Sequence, residues 1–289
     1  YGGDVLERTL PPIMDGCKRS RGRTLAAYVK AAGQVLSVVD EEVAARYGWD
    51  LLRVVVREFK TSDEEMKKTV LKVMRQCLGV PVIAKDVNKE NIVERFFEFF
   101  WQARNSVDKR LSREVVETVL LLARQVGLRD IATRTVTSLK SDNEPFRKMT
   151  LAALEQLVER YGVYEIDVHL EQRIFDGLIF AFIEQTSGDE GASALGGIAA
   201  VMAAFGARCA PYLDTLSNNI KWRFHHKTAK IRQYAAELLA KVAPVYVRCD
   251  NQQTLVHLGE VVYELLGETN TDVLAAAMVA LRAIIAAIT

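Results

Sequence analysis

Five stretches of this chain can be laid over one another, and that repetition constrains the fold more than any other feature. They are DGCKRSRGRTLAAYVKAAGQ from Asp15, REFKTSDEEMKKTVLKVMRQ from Arg57, TSLKSDNEPFRKMTLAALEQ from Thr137, KWRFHHKTAKIRQYAAELLAK from Lys221 and YELLGETNTDVLAAAMVALRA from Tyr263. Each carries the end of one helical pattern across a short polar turn into a second. There apolar residues recur at i, i+3, i+4 and i+7, the spacing of one helix face. The unit returns roughly every 40 residues, the period of paired-helix repeats of the HEAT or armadillo kind.

The periodicity predicts first helices over 5–19, 41–60, 90–106, 128–140, 165–186, 209–226 and 252–267. Second helices follow over 23–39, 63–78, 109–126, 144–161, 191–205, 228–243 and 270–288, making about seven pairs. No stretch alternates with period two between hairpin turns, so no sheet is required. The expected fold is all-α, a right-handed α-α superhelix in which residues 1–289 form a single HEAT-repeat array. Each pair in such an array exposes an apolar face that only its neighbours cover. The last segment, VLAAAMVALRAIIAAI, is apolar on nearly every side and the first residue is not Met, so the array is expected to continue at both ends.

The turns carry helix-start signals. Ser62 to Glu65, Ser141 to Glu144 and Ser187 to Glu190 all read S-x-x-E ahead of an apolar run. That is the pattern of a capping box, with serine on an orphan amide and glutamate reaching back. Pro145 falls in the first turn of a helix, where its missing N–H costs little.

Few residues invite a catalytic reading. Asp63, Glu64 and Glu65 are consecutive and so point in different directions, which suits charge at a helix N-terminus better than an acid/base pair. His225 and His226 are adjacent, without the i,i+3 or i,i+4 spacing a zinc site needs, and no metal is expected. Cys17, Cys77, Cys209 and Cys249 form no CxxC pair, which suits a reducing compartment. No phosphate loop, nucleophile elbow, HExxH or GxGxxG is present, so no catalytic residue, cofactor or small-molecule substrate is expected. The apolar stretches 192–205 and 273–288 are broken by glycines and by Arg282 and read as buried helices, so no membrane partner is expected. The aromatic run Phe96 to Trp101 covers more than one helix face and is expected mostly to fill the core.

The basic residues recur at one structural place. Lys60, Lys109, Arg110, Arg113, Lys140, Arg147, Lys148, Lys227, Lys230 and Arg232 all fall at a turn within a pair or early in the second helix. Stacking would align them into a stripe, which is either a phosphate track or a solvated face interleaved with Asp108, Asp142 and Glu144. The net charge of +1 means that any nucleic-acid contact rests on such a local edge.

Six strings resemble one family. They are RGRTLAAYVKAAG from Arg21, REFKTSDEEMKKTVLKVMRQC from Arg57, FFEFFWQAR from Phe96, FRKMTLAALE from Phe146, KWRFHHKTAKIRQYAAELLAK from Lys221 and HLGEVVYELLGE from His257. Their order and content are similar to the large HEAT-repeat scaffold subunit of splicing factor 3b in the U2 small nuclear ribonucleoprotein. The resemblance implies a nuclear, non-enzymatic scaffold that holds other subunits of the factor and splicing proteins, and that meets U2 snRNA and the pre-mRNA intron near the branch site. It implies RNA or partner contacts at Lys148, Arg113 and Lys89. Arg147, Arg110, Lys109, Lys227 and Lys230 join them as candidates through the basic stripe. The chain departs from the family in 79–92 and 187–197, and nothing in it matches the later repeats that hold the branch adenosine. The competing expectation is a purely protein-binding HEAT scaffold, of the phosphatase-scaffold or nuclear-transport-receptor type.

Overall fold

The computed structural model describes residues 2–85, 91–185 and 191–289. All regular structure among them is helical. The first three pairs are α1 (Gly2–Arg19) with α2 (Gly22–Leu36), α3 (Glu41–Arg57) with α4 (Glu64–Leu78), and, after a short α5 (Pro81–Ala84), α6 (Ile92–Phe99) with α7 (Lys109–Val126). Then come α8 (Leu128–Thr135) with α9 (Glu144–Tyr161), α10 (Val168–Ile183) with α11 (Gly191–Phe205), α12 (Leu213–Phe224) with α13 (Ala229–Arg248), and α14 (Gln252–Glu264) with α15 (Thr271–Ile288). The seven predicted pairs are therefore present, and the all-α fold with them. The chain divides into two compact units, Tyr1–Arg134 and Thr135–Thr289.

In the first unit the second helices stack in order, α2 on α4 and α4 on α7. That position explains the composition of α4: Val70, Leu71, Val73, Met74 and Cys77 are all completely buried, because the helix has a neighbour on each side. Each such aliphatic side chain contributes about 1.5–3 kcal/mol relative to leaving it in water. The second unit repeats the arrangement, with α11 between α9 and α13 and α15 against α13. Gly177 of α10 lies where a Cβ would meet Leu139 Cδ1 at 2.6 Å, so the helix can sit this close to the 3-10 turn Val136–Lys140 only without a side chain. The helices α7 and α9 end on Gly127 and Gly162, at φ 92° and 71°, which glycine adopts without steric cost.

The caps fall one and two residues later than the serines of the S-x-x-E pattern, at Asp63 and Asn143. Asp63 Oδ1 accepts from Met66 N at 2.7 Å and Asn143 Oδ1 from Phe146 N at 2.9 Å. Ser141 instead accepts from Asn143 N, and Thr61 from Asp63 N, so the hydroxyls order the turn ahead of the cap. Asp108, Asp167 and Asn270 cap α7, α10 and α15 in the same way. The Ser187–Glu190 pattern lies outside the described residues.

Three further differences have local causes. The predicted helix 90–106 stops at Phe99, because burying both Phe100 and Trp101 requires the chain to leave the helical path, and Gln102 is extended. The side-chain amide of the buried Asn105 then donates to the carbonyls of Phe99 and Phe100, both at 3.0 Å, and satisfies the helix end. The helix expected to stop at 243 runs through Pro244 to Arg248. There the burial of Val245 and Tyr246, and the 2.8 Å bond from Tyr246 to Ser217, outweigh the proline's local cost of about 3 kcal/mol. Finally, Ala194–Phe224 and Thr271–Ile288 are long and apolar enough to cross a bilayer by length and composition, where the sequence reading placed both short of a span. The first runs through α11, the 3-10 turn Gly206–Tyr212 and α12, members of two successive pairs, and the second is α15, which packs one face on α13 and α14 while Met278, Val279 and Ile285 on its other face are exposed.

Candidate nucleic-acid interface

Within each unit the turns that join the two helices of a pair stack along one edge. In the first unit Lys67, four residues past the cap of α4, reaches Asn105 Oδ1 at 3.3 Å, and Lys68 reaches Asp108 Oδ2 at 3.2 Å. These contacts tie the turn at 60–63 to the turn at 106–108. In the second unit Gln185 donates to Glu144 at 3.4 Å, Arg223 Nη1 donates to the Ile183 carbonyl at 2.7 Å, and Arg232 Nη2 donates to Glu268 at 2.8 Å.

The edge sorts the basic residues into two classes that one-dimensional spacing had merged. Lys67, Arg147 and Arg232 occupy the same place, four residues after their caps Asp63, Asn143 and Thr228, and all turn inward. Arg147 is only 6% exposed, and its Nη1 donates to the carbonyls of Ser141 at 2.7 Å and Asp142 at 3.2 Å. Arg232 Nη1 repeats that pattern on His226 at 2.7 Å and Lys227 at 3.0 Å. These guanidinia close their own turns by satisfying carbonyls that the helix geometry leaves over. Arg147, a candidate for the phosphate track on sequence, is thus buried in the structure, with its Nη1 bonded to carbonyls of its own turn.

Lys109, Arg110 and Arg113 form the outward class in the first unit. All three are exposed on the first turns of α7, and Lys109 and Arg113 share a face at i,i+4. They stand over Asp108, whose Oδ1 accepts from Arg110 N at 2.7 Å and Leu111 N at 3.1 Å. Those amides, followed by Lys68, hold the Asp108 carboxyl below its usual range. In the second unit Lys148 is not an open cation, because it donates to Glu144 Oε1 at 2.7 Å and is itself the main cause of a lowered Glu144 pKa. Lys140 lies 3.8 Å from Asp176. Lys230 sits 5.2 Å above the Tyr234 ring, half-buried, and Lys227 is exposed in its turn. Lys89 lies outside the described residues.

One residue that the sequence reading passed over belongs to the same construction. Arg223 is buried, lies 4.7 Å from the centroid of Phe182, and donates to the carbonyls of Ile183 and Gln185; burial pushes its pKa down to about 10. It does between neighbouring pairs what Arg147 does within one. Buried thiols complete the picture: Cys77 and Cys209 are each pushed up to about 12 by burial, which suits packing rather than nucleophilic chemistry. Among the described residues no cluster of three or more His, Cys, Asp or Glu could hold a metal ion.

No family model matches the chain. The U2 snRNP component prp10 of Schizosaccharomyces pombe is 36% identical to it over 288 residues, 100% of this chain and 24% of the relative. The U2 snRNP component HSH155 of Saccharomyces cerevisiae is 35% identical over 274 residues, 95% of this chain and 28% of the relative. The chain thus spans about a quarter of the length of the curated relatives it matches. Among solved structures, importin beta aligns over 99% of this chain and 42% of its own with a TM-score of 0.50 at 12% identity, a likeness of fold alone. Across essentially its whole length, the chain is thus homologous to a segment of the U2 snRNP components prp10 and HSH155.

Proposed function

We propose that this chain is a non-enzymatic scaffold acting in pre-mRNA splicing in the nucleus, within the U2 snRNP assembly that recognises the intron branch site. In this reading it binds partner proteins of the splicing factor, and it binds RNA through phosphates rather than bases. The observation that carries it is the 36% identity over the whole chain to a U2 snRNP component. The geometry supports the same reading, because the buried Arg147 bonds to carbonyls of its own turn while Lys109, Arg110 and Arg113 are exposed on the first turns of α7. Three closely spaced cations on a rigid helix start position a phosphate backbone without reading sequence.

A salt titration of the chain with a duplex carrying a single-stranded tail, comparing wild type with Arg110→Glu/Arg113→Glu, tests this. We expect the variant to bind at least roughly tenfold more weakly at low salt, and its log–log salt slope to be smaller by about 1–2, as the loss of two phosphate contacts requires. An unchanged slope would remove the turn edge from RNA binding.

A further inference from the structure

The first unit holds a second basic feature that the turn edge does not include. Arg53, Arg57, Lys60 and Arg95 surround an open cleft of about 380 Å³ with Val56 beside them. Arg53 and Arg57 are one turn apart on α3, Lys60 follows in the 3-10 turn Glu58–Lys60, and Arg95 comes across from α6 of the next pair. Among the described residues no carboxylate lines the cleft. Asp50 approaches Arg53 at 3.6 Å and Glu58 approaches Arg57 Nε at 3.2 Å, so both guanidinia have acidic neighbours outside the lining. The Lys60 ammonium is 5.8 Å from the centroid of Phe99. With four cations and no carboxylate among the described residues of its lining, the cleft concentrates positive charge around one concavity, and like charges held together are costly unless an anion joins them.

We propose that this cleft binds the phosphates of single-stranded RNA, a proposal that rests on the reading of the chain as an RNA-contacting scaffold and adds a site to it. Three guanidinia present planar forks that match phosphate oxygens. The alternative occupant, an acidic peptide, fits less well. Protein partners are held by buried aromatic or aliphatic anchors, and Val56 is the single apolar side chain in the lining. A phosphodiester chain needs only repeated anion contact.

The test is fluorescence anisotropy of a labelled oligouridylate of about a dozen nucleotides with the purified chain, between roughly 50 and 200 mM salt. Wild type is compared with Arg53→Ala/Lys60→Ala/Arg95→Ala, and with Arg110→Glu/Arg113→Glu in parallel, all checked for helix content by circular dichroism. The cleft variant is expected to lose roughly tenfold or more in affinity at the low-salt end, and about 2 in salt slope, from three contacts at about 0.7 each. Unchanged binding in the cleft variant beside weakened binding in the α7 variant overturns the cleft and leaves the proposed function standing. If the wild-type chain binds no oligouridylate, both fail. Displacement of the labelled RNA by oligoglutamate at lower concentration than by unlabelled RNA overturns the proposal in favour of protein docking. Should Arg53→Ala/Lys60→Ala/Arg95→Ala lose helix content, Lys60→Gln alone must still weaken binding and lower the slope for the proposal to hold.

Discussion

Replacing Phe100 by alanine is expected to destabilise the first unit by about 3–5 kcal/mol, the range for truncating a buried aromatic. Phe100 is completely buried, meets Phe59 edge-on at 5.1 Å and stacks on Phe96 at 5.6 Å. It thereby joins the end of α3 to α6, two first helices of consecutive pairs. In a repeat array each pair is covered only by its neighbours, so a cavity there has little else to collapse onto. In a thermal melt followed by circular dichroism this should read as a fall of roughly 10 °C or more. Phe97→Ala, at a half-buried ring, should cost clearly less. A Phe100→Ala midpoint within about 2 °C of wild type would mean that this aromatic cluster does not hold the pairs together.

The second large effect separates the two classes of basic residue. Arg147→Met keeps the aliphatic stem but leaves the carbonyls of Ser141 and Asp142 without their donor. Hydrogen bonds from a charged group contribute about 1.5–3 kcal/mol each, so a loss of roughly 3–6 kcal/mol is expected in urea unfolding. Lys148→Met, its neighbour in sequence, removes one partly exposed pair with Glu144 and should cost under about 1 kcal/mol. Arg147→Met should leave RNA affinity at the level of wild type wherever the protein is folded. The opposite pattern, normal stability with lost RNA binding, would place the guanidinium outside the turn and restore it to the phosphate-facing set.

The pairing of helices was readable because each second helix repeats an apolar face at 3.6-residue spacing, and its neighbours on both sides demand one. The turns were readable as turns, though not in their details. In TSDEE and SDNEP an oxygen-bearing side chain stands at several consecutive positions, and any of them can cap; the choice of Asp63 and Asn143 depends on where the apolar face must point. The halt of α6 at Phe99 and the passage of α13 through Pro244 were set by tertiary partners, Asn105 for the first and Ser217 with the core around Tyr246 for the second. The site was less legible than the fold. Arg147 and Lys148 are adjacent and chemically alike on paper, and only the direction of each side chain from the helix tells a turn-closing donor from a surface cation. Arg223 was hidden for a related reason, since its acceptor at Ile183 is about 40 residues away, and the cleft was hidden because Arg95 reaches it from another helix.

If this chain works in the U2 assembly, capture of the tagged protein from nuclear extract will bring spliceosomal RNAs with it, and these can be quantified. U2 snRNA is expected to be enriched over the other spliceosomal RNAs, at moderate salt and without ATP. Recovery of U2 snRNA no better than that of an unrelated HEAT-repeat control would contradict it.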